Sequence, residues 1–95
     1  MDNYREVRDW LISLLDGEAK PFTQEVNRAM QELWKKRESV AGEQKMIVNA
    51  FSAVLEYKAV EDHFTPHYFE KQDRLKALWQ KVLEQTRILK EYVEK

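Results

Sequence analysis

Apolar residues recur at steps of three and four along most of the chain, and nowhere do β-branched and polar residues alternate over the length of a strand. That spacing is the period of an α-helix, so the chain is expected to be helical throughout. Tyr4, Val7, Leu11, Leu14 and Leu15, widened by Trp10, mark a first helix. It would run from about Asp2, a favourable N-cap, to Asp16, with Gly17 ending it. A second stripe holds Phe22, Val26, Ala29, Met30, Leu33 and Trp34. Its start is marked in two ways, since Pro21 suits a first helical turn and Thr23 suits an N-cap.

The third stripe is the most apolar, with Met46, Ile47, Ala50, Phe51, Ala53, Val54, Tyr57 and Val60 between about residues 43 and 63. A face that wide predicts a central helix packed on more than one side. Gly42 lies just before it, in "KRESVAGEQK", and a break near 38–42 is the favoured reading. Glycine costs only about 1 kcal/mol inside a helix, however. A stripe interrupted by the polar Arg37 and Gln44 also crosses the segment. The alternative is therefore one continuous helix of about 40 residues, too long for a compact monomer, which would suggest a dimer.

A fourth helix opens at "TPHYFE", with Thr65 as N-cap and Pro66 at the first helical position. Its seam, Tyr68, Gln72, Leu75, Trp79, Val82, Thr86, Leu89 and Val93, alternates steps of four and three, which is heptad spacing. Glu32–Lys36, Glu70–Arg74 and Glu91–Lys95 sit at offsets that support a helix.

These elements predict an all-α protein, a small antiparallel three- or four-helix bundle with a long C-terminal helix. At 95 residues the chain, 1–95, reads as a single helical-bundle domain. The fourth helix would be ~45 Å long at 1.5 Å per residue, and the first about half that. The far end of the long helix, at Leu89, Tyr92 and Val93, is therefore expected to need a cover. Either the second helix with an extended third, or the same region of a second subunit, would supply it. Trp79, Leu89, Tyr92 and Val93 are the partner-binding residues this predicts, because tryptophan and tyrosine dominate interface hot spots.

Charge narrows the functional classes. The chain carries 16 Lys+Arg against 17 Asp+Glu, and each half is within one charge of neutrality. Nucleic-acid binders rely on a basic excess to neutralise phosphate, so no nucleic-acid partner is expected. The local cluster "WKKRE", with Lys35, Lys36 and Arg37, has Glu32 and Glu38 beside it and reads as a solvated helix face. The polar faces are mixed rather than Lys/Arg-rich, so no membrane binding is expected either. The chain has no cysteine, which removes thiolate nucleophiles and Cys-bound zinc. "MDNYREVRDW" lacks the basic and apolar regions of a signal peptide, so a cytoplasmic location is the expectation.

The densest candidate chemistry is "EDHFTPHYFE", which holds both histidines. His63, His67 and Glu70 could form a metal site, since imidazole and carboxylate suit Zn²⁺, Mn²⁺ or Fe²⁺. Pro66 lies between the histidines, however, so they cannot occupy adjacent turns of one regular helix as H-E-x-x-H sites do. The favoured reading is a structural turn, with His63 at a helix C-terminus and Phe64, Tyr68 and Phe69 clamping the turn to the core. Ser13, Ser39 and Ser52 have no G-x-S-x-G context, and two glycines cannot build a phosphate-cradling loop. No enzyme and no cofactor are expected. The expected function is a non-catalytic protein-interaction module, a small regulator or adaptor, acting as a homodimer or by laying a helix in a partner's groove. The alternative is a metal- or ligand-binding bundle centred on the 61–70 turn.

Overall fold

The computed structural model of the chain describes residues 4–17 and 20–94. They form four α-helices: α1 (Tyr4–Ser13), α2 (Gln24–Lys35), α3 (Glu43–Asp62) and α4 (Tyr68–Val93). The all-α bundle expected from the periodicity is what the chain adopts. Beyond α1 the backbone tightens into a 3-10 turn, Leu14–Asp16, and Gly17 then takes a left-handed φ of 75°. The Asp2 cap expected for this helix lies outside the described residues. Thr23 is the N-cap of α2, where its Oγ1 accepts from the Val26 amide at 3.2 Å.

The chain does break between α2 and α3. Arg37 folds back at the end of α2, donating from Nη1 to the Trp34 carbonyl at 2.8 Å, with its guanidinium carbon 4.8 Å from the Trp34 ring centroid. One of the three cations expected on a solvated face is thus a helix terminator instead. Gly42 precedes α3 with φ 63° and ψ −135°, a conformation that side chains resist. A Cβ there would lie 3.5 Å from the Tyr92 hydroxyl, an ordinary contact, so the torsion rather than space requires glycine.

The core gathers Val7 and Leu11 of α1, Ala29, Met30 and Leu33 of α2, Ile47 and Ala50 of α3, and Leu89 of α4. α3 touches all three other helices, as its wide apolar face predicts. An ion pair fixes α1 to the start of α3: Arg8 Nη1 donates to Glu43 Oε1 at 2.9 Å, and the Tyr4 hydroxyl donates to Oε2 at 3.3 Å. The bond to Glu43 is the largest influence holding the Arg8 guanidinium protonated beyond its ordinary range, and it outweighs burial. Ser13, also buried, donates to the Trp10 carbonyl and accepts from the Lys20 amide at 3.0 Å, tying α1 to its connector. By contrast, Glu32–Lys36 and Glu70–Arg74 form no ion pair. Exposed pairs of that kind contribute only about 0.3–0.5 kcal/mol.

The molecule measures 45 × 26 × 25 Å, and α4, ~39 Å long at 1.5 Å per residue, spans most of its long axis. The length mismatch expected from the sequence is real, but it falls at the opposite end. Leu89 is fully buried inside this chain, in the same core as Val7 and Leu11 of α1, so it is unavailable to a partner. The reason lies in the short connections. α3 and α4 are antiparallel, which sets the C-terminal end of α4 beside the start of α3. The short 36–42 segment holds α2 there, and α1 follows on its own short connector. The uncovered end is therefore the α3–α4 turn. Between Val54 and Gln80 the only buried residue is Leu75.

Candidate functional site

The projecting half of the α3–α4 hairpin is a two-helix arm. Tyr57 and Trp79 pack across it with ring centroids 5.3 Å apart, and Lys81 Nζ reaches Glu56 Oε2 at 3.1 Å. At the tip, Lys71 of α4 donates from Nζ to the Glu61 carbonyl at 2.9 Å and the His63 carbonyl at 2.8 Å. A cation on the last carbonyls of α3 satisfies orphan acceptors and suits the helix dipole. Lys71 thereby clasps the end of one helix to the first turn of the next.

The turn differs from the cap read in "TPHYFE". α4 begins at Tyr68, with His67 as the cap residue and no side-chain hydrogen bond to the helix amides. The Thr65 hydroxyl accepts instead from the His67 amide at 3.2 Å, two residues on. Thr65 closes a local turn, as threonine does outside helices, and Pro66 lies in that turn rather than at the first helical position.

His63, Thr65, His67, Glu70 and Lys71 line an open depression beside this turn. Among the described residues no three His, Asp or Glu side chains come together in a group able to hold a metal. His63, His67 and Glu70 therefore do not converge into the site their spacing allowed. The extended backbone at His63, with ψ 122°, and the bend through Pro66 separate the end of α3 from the start of α4.

The aromatics of the turn do not clamp it to the core. Phe64 is 90% exposed, Phe69 82% and Tyr68 62%. Tyr68 and Phe69 meet edge to face, with centroids 5.6 Å apart, and neither reaches α1 or α2. Two phenylalanines so open to water gain the fold almost nothing. Large exposed apolar patches mark interaction surfaces more often than scattered single residues do.

The four residues expected to bind a partner do not form one surface. Trp79 is half-buried against Tyr57 in the arm. Tyr92 and Val93 are partly exposed at the packed end, ~20 Å away along α4. Leu89 lies beneath them in the core. Phe64 and Phe69 were missed because "HFTPHYF" reads equally well as a packed turn. The signal that finds them is connection length, since short links hold α1 and α2 at the other end of the hairpin.

Charge at the tip is balanced. Residues 57–76 hold Glu61, Asp62, Glu70 and Asp73 against Lys58, Lys71, Arg74 and Lys76. Among the described residues no helix is long and apolar enough to cross a membrane. Comparison of the chain with protein-family models, with curated proteins and with solved structures finds no match.

Proposed function

We propose that this chain is a non-catalytic helical interaction module, a small regulator or adaptor that binds protein through the tip of its α3–α4 hairpin. One observation carries the reading: Phe64, Tyr68 and Phe69, all within the 64–69 stretch, are each mostly exposed at the end of an arm where few residues are buried. Burying an aromatic side chain contributes about 1.5–3 kcal/mol, so three of them form a substantial binding centre. Aromatic anchors at the middle of a contact, ringed by polar residues, are the usual composition of hot spots. The arm supports this role because Lys71 and the Tyr57–Trp79 pair hold the two helix ends in fixed relation. A pre-ordered tip loses less conformational freedom on binding than a loose loop would.

The test is site-specific photo-crosslinking in the host cell. A photoreactive phenylalanine analogue at position 69 should give a discrete protein adduct, and the same group at Asn49, exposed on the packed half, should not. Absence of any adduct at both 64 and 69 would end the reading.

A further inference from the structure

We propose that the occupant of the tip is a second copy of this chain, packed tip to tip across a two-fold axis, with Phe64, Tyr68 and Phe69 of both copies forming one shared apolar centre. This rests on the reading of the tip as a protein-binding surface and names the partner.

The seam of α4 is the first reason. Tyr68, Leu75, Val82 and Leu89 are spaced seven apart, one line of a heptad pattern. Along that line exposure runs 62%, 9%, 0% and 0%. Three positions are covered by this chain's own helices. The fourth follows the end of α3 at Asp62, and there Tyr68 is mostly exposed, its ring meeting that of Phe69. The seam thus continues one heptad further than the intramolecular packing does, and a second hairpin end would complete it.

Charge is the second reason. An isologous contact sets a surface against itself, so the surface must carry both halves of each complementary pair. Lys58 and Glu61 pair within the chain and Lys71 is held by carbonyls, but Asp62, Glu70 and Asp73 with Arg74 and Lys76 still present both signs. A strongly acidic or basic partner would gain no attraction from such a tip. An anionic membrane would meet Glu61, Asp62, Glu70 and Asp73 as readily as the cations, where membrane-binding helices favour Lys and Arg.

Area is the third. With a full aromatic side chain offering roughly 200 Å², the three rings expose roughly 470 Å² per copy. A standard interface buries about 800 Å² per partner. These three residues alone offer more than half of that area.

Sedimentation equilibrium over a wide concentration range tests the inference. The wild-type chain should rise to twice the monomer mass. Phe64→Glu with Phe69→Glu should weaken association by at least ~100-fold with unchanged helicity, since both side chains are largely exposed. Ile88→Glu, exposed at the other end, should associate like wild type. A wild-type chain that stays monomeric at every concentration overturns the second-copy inference, and does so equally if it floats with phosphatidylserine vesicles. A dimer that survives both charge substitutions overturns it too. An adduct with another protein at position 69, together with a monomeric wild type, would leave the interaction reading intact and remove only the self-association.

Discussion

The two ends of the α3–α4 hairpin are made from the same pair of helices and face opposite circumstances. At one end Ile47, Ala50 and Leu89 join one core with residues of α1 and α2, and Arg8 and Tyr4 close over Glu43. At the other, from Val54 to Gln80, only Leu75 is buried, and three aromatics face water. Helix propensity and seam spacing differ little between the two halves. What differs is coverage, and coverage follows from where short connections force α1 and α2 to lie. The packed end holds the fold together; the arm is free to present a surface.

The comparison breaks first at Leu89. Leu89→Ala removes a fully buried side chain where four helices meet, and should cost about 2–5 kcal/mol in urea denaturation. Had Leu89 been an interface residue on an uncovered overhang, the same change would leave a dilute monomer almost unaffected. A loss under about 1 kcal/mol would therefore place the core elsewhere. Gly42→Ala comes next. Its left-handed φ of 63° sets the first turn of α3 beneath Tyr92, and alanine should cost about 1–3 kcal/mol through backbone strain. The arm, lacking that junction, should keep its local structure in the variant, which amide hydrogen exchange resolves residue by residue.

The clasp at the tip should matter less. Lys71→Ala removes two bonds to the Glu61 and His63 carbonyls, both at an exposed site, so about 0.5–1 kcal/mol is the expected global effect. The local effect should be larger in proportion. Amides near the end of α3 should exchange faster while those of Ile47 to Ala50 stay protected, because the arm opens as a smaller unit than the core. Equal loss of protection at both ends would show that the hairpin melts as one body.

Much of this architecture is legible in the sequence, and the misreadings share one cause. The helices follow from periodicity, the α2–α3 break from Gly42, and the α2 cap from Thr23, because each depends on neighbours a few residues away. Leu89 and Phe64 were misplaced because their surroundings depend on where distant helices land. Seam spacing marks both Tyr68 and Leu89 as inward-facing without saying which one finds a cover. The Thr65 cap failed more locally. Thr-Pro-His can start a helix or close a turn, and the hydroxyl took the amide two residues along. The His63, His67 and Glu70 spacing left a site conceivable, and the bend at Pro66 keeps the three from converging.

The smallest expected effect gives the sharpest contrast. Phe64→Ser with Phe69→Ser should change the stability of the dilute chain by less than about 0.5 kcal/mol, because neither ring buries enough surface to contribute to the fold. At high concentration the two proteins should part company. Association with a second copy stabilises the folded state by mass action, so the wild-type melting temperature should climb with concentration. The double variant should melt at one temperature throughout. A large loss at high dilution would instead mean that the rings belong to the fold, and the arm would then be a second core rather than a presented surface. Two large aromatics neutral to a single chain and stabilising only to a pair would show that the exposed end of the hairpin belongs to an interface.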